Sequence, residues 1–194
     1  NSRSGRLASF ARSEVRSGYD ELKRLLQTRD ESLPVTAYLD LVSKKLSAGL
    51  MVMQDGDLTK YPFGLHRSWE SMWHMWGNGQ TQVLASAGKL LKSKKMIESA
   101  EREAKGFYSR LLIQGLMKEM DVAAPEKRIE YEQIAYGIRP IVVGLIRLYE
   151  ATGKSEYLKM GGLAGSWFYG NNKLNQQMYD AATGRCFEGL GLNP

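Results

Sequence analysis

LYEATGKSEYLKMGGLAGSWFY (residues 148–169) has the pattern of a helical hairpin. Gly153 is suited to end the first helix, because glycine adopts the left-handed conformation of a helix C-cap without strain. A second helix is predicted to start at Ser155. An earlier stretch, LASAGKLLKSKKMIESAEREAKGFY (84–108), has the same order of helix, Gly-Lys turn, helix and aromatic pair. Helical hairpins of this kind bury their apolar faces only by packing on one another, which predicts an array or a ring.

The rest of the chain is also dominated by helical periodicity. Apolar residues recur at steps of three and four, the spacing that places side chains on one helix face. The predicted helical stripes cover residues 7–26, 35–53, 97–116 and 131–148. No segment of any length shows the alternation of a strand. We therefore predict an all-α fold of helical hairpins, about half of an (α/α) toroid, in a single domain spanning residues 1–194.

Composition limits the class of protein. Of the 194 residues, 43% are hydrophobic and 25% charged, which is typical of a folded globular domain and argues against global disorder. Apolar runs such as 141–143 are far shorter than a membrane span requires, so no membrane partner is predicted. The net charge is +6, but the basic residues are scattered among other types, which predicts solvated helix faces and no nucleic-acid partner. The single cysteine leaves the compartment open.

Neither a cofactor nor a metal is predicted. TGKS (152–155) ends like a phosphate-binding loop, but Leu148 occupies the upstream glycine position and a helix precedes it where a strand is needed. The nitrogen and sulfur ligands His66, His74 and Cys186 have no zinc-site spacing. We therefore expect the function to depend on the side chains of the chain itself.

Two stretches combine aromatic and amide side chains: 65–80 and 166–190. Aromatic rings pack on the apolar faces of sugars, and amides supply the paired donors and acceptors that a neutral polyol needs. A core role for each tryptophan is the competing interpretation. The predicted saccharide-binding residues are His66, Trp69, Trp76, Asn78, Gln80, Tyr136, Trp167 and Asn171.

Three carboxylates are the candidates for acid and base catalysis. Asp180 and Glu188 lie on the terminal run YDAATGRCFEGL (179–190), and Glu132 belongs to YEQIAYG (131–137). A glycoside hydrolase uses such a pair, with one carboxyl as general acid and the other as base or nucleophile. The alternative for the terminal pair is that they serve as turn and cap residues.

The residues 145–190 resemble the hairpin repeat and terminal loop of six-hairpin glycosidase-like (α/α)6 barrel proteins. The resemblance rests on Leu-Tyr-x-x-Thr-Gly at 148–153, Trp-Phe-x-Gly-Asn at 167–171, and the later Tyr-Asp and Thr-Gly pairs. It implies a ring of helices with a sugar-binding funnel at one end. A whole barrel has about twice as many helices as are predicted here. We therefore expect a further C-terminal segment or a second copy of the chain to complete the ring.

Three functions remain open. The leading expectation is a carbohydrate-active enzyme, a glycoside hydrolase acting on an oligosaccharide. A sugar epimerase is the enzymatic alternative, and it would depend on the imidazoles of His66 and His74. The third is a saccharide-binding or scaffold module with the same lining and no catalytic pair.

Overall fold

The computed structural model of the chain describes Asp20, Arg24 and residues 35–52, 54, 64–66 and 72–191. Within these residues the α-helices are α1 (Val35–Val52), α2 (Gln80–Leu90), α3 (Lys94–Glu103), α4 (Ser109–Gln114), α5 (Ala135–Thr152) and α6 (Ser155–Gly165). A π-helical turn (Ala104–Tyr108) joins α3 to α4, and 3-10 turns cover Met75–Gly77 and Ser166–Phe168. Of the helix predicted over 7–26, only Asp20 and Arg24 are described, and both are helical.

Short antiparallel strands complete the described structure. They are β1 (Met72–His74), β2 (Glu119–Asp121), β3 (Ala124–Ile129), β4 (Gln133–Ile134), β5 (Tyr179–Asp180), β6 (Arg185–Cys186) and β7 (Gly189–Leu190). Among the described residues they form one three-stranded sheet in the order β1-β2-β3 and the pairs β4-β7 and β5-β6. The chain therefore alternates helical hairpins with small strand pairs.

The prediction of an all-α half-toroid is wrong, because the described residues form a mixed α and β structure. The strands are only two to six residues long, too short for most of them to show alternation in the sequence. Their partners are also distant along the chain, as Met72 with Asp121 and Gln133 with Leu190 show. Gly115, with φ of 93°, follows the last residue of α4, where the sequence pattern predicted that the helix continues to 116.

The two hairpins predicted from the Gly-Lys turns are present as α2–α3 and α5–α6. Gly153 adopts φ of 73° and its N–H donates to the carbonyl of Tyr149 at 2.7 Å, so it is the predicted helix C-cap. Pro140 lies inside α5, which continues through it. α5 packs against both α2 and α6, and α2 packs against α3.

The core lies where these helices meet the three-stranded sheet. Its largest fully buried side chains include Trp73, Trp167, Tyr108 and Tyr157. Trp73 lies in β1 and packs edge to face against Phe107 of the π-helical turn, with ring centroids 4.8 Å apart. The sheet thus encloses one side of the helical layer.

Candidate functional site

A cavity of about 550 Å³ opens at the N-terminal part of α5. We call it the aromatic cavity. Its lining residues are Ala135, Tyr136, Arg139, Val142, Val143, Gly165, Phe168, Tyr169, Tyr179 and Cys186. This volume is within the range of small-molecule binding sites in proteins. The cavity is therefore the first place to look for a ligand.

Helix α5 forms one wall of the aromatic cavity. Tyr136, Arg139 and Val143 are spaced i, i+3 and i+7, so they lie on one face of the helix. Tyr136 is 52% exposed, which leaves its ring accessible from solvent. The helical period thus places an aromatic ring one turn before a guanidinium on the same wall.

The β5–β6 hairpin and the turn after α6 supply other lining residues of the cavity. Tyr179 and Cys186 are paired across the hairpin, and both line the cavity. The N–H of Met178 donates to the carbonyl of Phe168 at 2.9 Å, which ties the hairpin to the end of α6. The rings of Tyr169 and Tyr179 then meet edge to face, with centroids 6.1 Å apart. Backbone bonds therefore hold the aromatic rings in place.

The aromatic surface continues beyond the cavity to Trp76. This side chain is 46% exposed, and its ring centroid lies 5.9 Å from that of Tyr136. Lys118 Nζ lies 6.0 Å from the centroid of the Trp76 ring, within the range of a cation–π contact. Trp76 and Tyr136 therefore form an exposed aromatic strip that leads into the cavity.

His74 supports the Trp76 end of this strip. Its Nδ1 accepts a hydrogen bond from the N–H of Trp76 at 3.1 Å, and its Nε2 lies 3.2 Å from Glu119 Oε2. Burial lowers the pKa of His74 below its ordinary value and Lys118 adds to that effect, whereas Glu119 opposes it. A neutral ring with its hydrogen on Nε2 satisfies both contacts. His74 thus positions the strip and has both nitrogens engaged.

Asp180 is committed to the turn of the β5–β6 hairpin. Its Oδ2 accepts from the Thr183 hydroxyl at 2.6 Å, and its Oδ1 accepts from the N–H of Ala182 at 2.9 Å. These bonds hold the pKa of Asp180 below its ordinary value, with the Thr183 bond the largest cause. A general acid needs the opposite shift. The geometry therefore fits the turn interpretation of Asp180 better than the acid role.

Glu188 and Glu132 lie at opposite ends of the β4–β7 pair. The carbonyl of Glu188 accepts from the N–H of Ala135 at 2.8 Å, and Ala135 lines the aromatic cavity. Glu132 is on the other side, next to Gly191. The register separates the two carboxylate residues by three positions along the strand, about 10 Å. Only Glu188 of these two is adjacent to the cavity wall.

His66 belongs to a buried polar cluster made of Gln54, His66, Thr81, Ser99 and Glu103, all of them buried. His66 Nδ1 lies 2.8 Å from Glu103 Oε2, and His66 Nε2 lies 3.1 Å from Ser99 Oγ. The order Ser-His-Glu is that of a nucleophile, base and orienting acid. However, Ser99 is fully buried and its hydroxyl donates to Gln54 Oε1 at 2.7 Å. In this arrangement the cluster joins Gln54 and residues 64–66 to α3, and its buried side chains offer no surface to a substrate.

The sequence reasoning missed Ser99 and Glu103. A signal was present: the two polar residues are four positions apart, so they lie on one face of α3, the face that also carries Met96 and Ala100. Buried polar side chains need partners, so a polar pair on an apolar helix face predicts partners from elsewhere in the chain. Those partners, such as His66, could not be named from the sequence.

The remaining predicted binding residues are dispersed. Asn78 is buried, and its Oδ1 accepts from the Tyr108 hydroxyl at 2.7 Å. Asn78 Nδ2 and Gln80 Oε1 are buried atoms with no hydrogen-bond partner among the described residues. Trp167 is a core residue whose Nε1 donates to Gln133 Oε1 at 2.8 Å. Trp69 lies outside the described residues.

Asn171 lines a second cavity, of about 310 Å³, between α4 and the turn after α6. Its side-chain amide donates to Ser166 Oγ at 2.8 Å. Trp167 also lines this cavity, and Lys173 is the charged residue in its lining. Of the predicted residues, the structure therefore places Tyr136 in the aromatic cavity, Trp76 beside it, and Trp167 with Asn171 in a separate pocket.

Nowhere in residues 35–52, 54, 64–66 and 72–191 do three or more His, Cys, Asp or Glu side chains come together as metal ligands. None of the described helices has both the length and the apolar character needed to cross a membrane.

Comparison with known proteins adds no family. No protein-family model matches the chain, and no curated protein is significantly similar to it. The resemblance to six-hairpin glycosidases therefore stays a prediction. The function proposed below is inferred from the geometry of the aromatic cavity.

Proposed function

We propose that the protein binds a saccharide in the aromatic cavity. The observation that carries the proposal is the arrangement of Tyr136, Phe168, Tyr169 and Tyr179 around a single cavity of about 550 Å³. Rings contributed by α5, by the turn after α6 and by the β5–β6 hairpin offer flat apolar faces, against which the C–H faces of a sugar ring pack. The phenol hydroxyls supply donors and acceptors at the ring edges.

Binding from solution also needs access, and the aromatic side chains of the cavity provide it. Tyr169 is 67% exposed and Tyr136 is 52% exposed, although large aromatic side chains are more often buried. Exposed apolar surface around a concave site is typical of a binding region. The Trp76 ring extends this surface outside the cavity, which favours an oligosaccharide over a single sugar.

Hydrolysis of the bound saccharide is the second candidate function, and it depends on Glu188. The backbone of Glu188 bonds to Ala135 in the cavity wall, and its side chain is exposed. The geometry favours Glu188 over Asp180, because the Asp180 carboxylate is occupied by its turn. The epimerase alternative has no comparable support, because both His66 and His74 are buried and engaged.

Cys186 allows binding to be tested without altering the protein. It is the single cysteine of the chain, it is exposed, and it lines the aromatic cavity. A saccharide that fills the cavity covers the thiol and slows its reaction with a thiol-reactive disulfide such as DTNB. The reaction rate is measured with a panel of neutral and acidic oligosaccharides.

Two tyrosines of α5 form a matched pair of variants. Tyr136→Ala removes a ring from the cavity and should weaken binding by about 2- to 12-fold, the equivalent of an aromatic contact worth roughly 0.5–1.5 kcal/mol. Tyr149→Ala removes an exposed ring of the same helix outside the lining and should leave binding unchanged. The proposal is wrong if no saccharide protects Cys186, or if both variants weaken protection equally.

The same panel tests hydrolysis by release of reducing ends. If Glu188 acts as acid or base, Glu188→Gln should lower the rate by about 100- to 10,000-fold while Cys186 protection stays. Binding without any turnover in the unmodified protein would leave the binding module as the function and remove the hydrolase.

A further inference from the structure

We infer that the saccharide of the aromatic cavity carries a carboxylate, as a uronic acid does, and that Arg139 binds it. The inference rests on the proposed function and names its substrate class. It departs from the neutral polyol that the amide-rich sequence predicts. The charges of the cavity lining support this inference.

Among the described residues that line the cavity, only Arg139 carries a formal charge, and the lining contains no aspartate or glutamate. The described part of the chain pairs its other guanidinium groups in most cases. Arg102 bonds to Gln54, Arg128 to Glu130, and Arg147 to Glu150. Within the described residues, Arg139 has no hydrogen-bond or ion-pair partner. Its five donors are therefore available to a ligand.

Arg139 is exposed in the free protein, so selectivity depends on the ligand itself covering the guanidinium. A ligand that fills the cavity displaces part of the water around the guanidinium, and a neutral sugar would leave that charge partly covered without a counterion. A carboxylate replaces the lost water with two parallel N–H···O bonds in the planar geometry that arginine favours. An acidic sugar is therefore preferred over its neutral counterpart, provided that it occupies the cavity.

The helix sets the position of the carboxylate relative to the sugar ring. Tyr136 and Arg139 are three residues apart on α5, which places their Cβ atoms about 5–6 Å apart on the same face. A sugar packed on the Tyr136 ring can then extend an exocyclic carboxylate to the guanidinium. Val142 and Val143 follow Arg139 by three and four positions on the same helix, line the cavity and add no second charge.

A monoanionic carboxylate fits better than a phosphate. Phosphate monoesters carry up to two charges at neutral pH and are usually bound by several cations, or by free N–H groups at a helix N-terminus. α5 begins at the cavity, but the N–H of its first residue, Ala135, already donates to the carbonyl of Glu188. Only one cation lines the described cavity wall. Lys118, beside Trp76, lies at the outer end of the aromatic strip, which suits the next acidic unit of an oligosaccharide.

The test compares oligouronides with their own neutral forms. Trimers of galacturonate, glucuronate and mannuronate are each titrated into the full chain, alongside the same trimers after reduction of the carboxyl groups to alcohols. Binding is measured by calorimetry and by protection of Cys186. We expect at least one acidic trimer to bind about tenfold or more tightly than its reduced form, equivalent to about 1.4 kcal/mol.

Two arginines of α5 supply matched variants. Arg139→Gln should reduce the acidic preference to within about twofold, because the fork that binds the carboxylate is gone, and Arg139→Lys should keep only part of it. Arg147→Gln changes the net charge equally but removes a guanidinium that pairs with Glu150 outside the cavity lining, so the preference should persist. Thermal unfolding of each variant checks that the fold is retained.

The outcomes separate this inference from the proposed function. Equal or tighter binding of the reduced trimers, with Cys186 protected, overturns the acidic ligand and keeps the saccharide site. A preference that survives Arg139→Gln overturns the role of Arg139, and stronger binding of sulfated or phosphorylated neutral sugars overturns the carboxylate. If neither acidic nor neutral sugars bind, both the inference and the proposed function fail.

Discussion

Replacing Glu103 by leucine should destabilise the protein more than any exposed charge change on the same helix. Glu103 is fully buried in the polar cluster. Its Oε1 accepts from the backbone N–H of His66 at 2.8 Å, and its Oε2 contacts His66 Nδ1 at 2.8 Å and the Thr81 hydroxyl at 2.5 Å. Leucine fills much of the volume but accepts none of these bonds.

The magnitude follows from the groups left behind. Three buried donors on His66 and Thr81 lose their acceptor, and each unsatisfied buried group costs about 1–3 kcal/mol. Partial relaxation and the apolar gain of leucine offset some of this sum. We therefore expect a loss of about 3–5 kcal/mol, a large part of the roughly 5–15 kcal/mol that stabilises a typical domain.

Urea unfolding followed by tryptophan fluorescence measures this loss. With a slope of about 2 kcal/mol/M, the midpoint should fall by about 1.5–2.5 M. Glu98→Gln is the matched control, because Glu98 lies on the same helix in an exposed pair with Lys94 and should change stability by less than about 0.5 kcal/mol. A loss below about 1 kcal/mol for Glu103→Leu, or equal losses for both variants, would refute the view that the buried cluster holds Gln54 and residues 64–66 on α3.

Two further predictions concern backbone packing and pH. Gly137→Ala should lower stability by about 1–3 kcal/mol, because the new Cβ would lie 2.4 Å from Met75 Cγ. Gly162→Ala, where the new Cβ has no atom within 4 Å, should raise stability by about 0.5–1 kcal/mol. Thermal unfolding that ranks the two variants the other way contradicts the packing. Thr183→Val should raise the pKa of Asp180 towards its ordinary value of 3.8, as read from carboxyl carbon shifts by NMR. Because the pKa of Asp180 is depressed in the folded protein, the stabilisation of the hairpin is present above about pH 4 and is lost as the pH falls through the folded pKa. An unchanged Asp180 pKa in Thr183→Val would show that the Thr183 hydroxyl does not cause the depression.

The helical hairpins could be predicted from local signals. The Gly153 cap and the apolar period around it predict the α5–α6 hairpin, and the same pattern predicts α2–α3. The small sheets could not be predicted in this way. Trp73 and Trp76 share one face in a helical interpretation, but β1 and the following 3-10 turn bury Trp73 and leave Trp76 exposed. A three-residue strand has too few residues to show its period.

The binding role of the candidate site stays a prediction. Of the predicted binding residues, Tyr136 and Trp76 lie in and beside the aromatic cavity. The sequence did not separate them from Trp167, whose side chain is buried in the core. Arg139 was missed, because an arginine on a helix surface looks the same in a sequence whether it faces solvent or a cavity.

The sequence by itself determined the local structure: helices where apolar residues repeat every three or four positions, and the ends of helices where glycine relieves strain. Only the tertiary structure decided which polar residues are buried together, as with His66 and Glu103, and which aromatic residues surround a cavity, as with Tyr136 and Tyr179. The physical reason is one of range. Helical periods and caps depend on neighbours within a few residues. The buried cluster instead depends on contacts such as His66–Glu103, 37 positions apart, and the cavity on residues that are distant in the chain, such as Tyr136 and Tyr179.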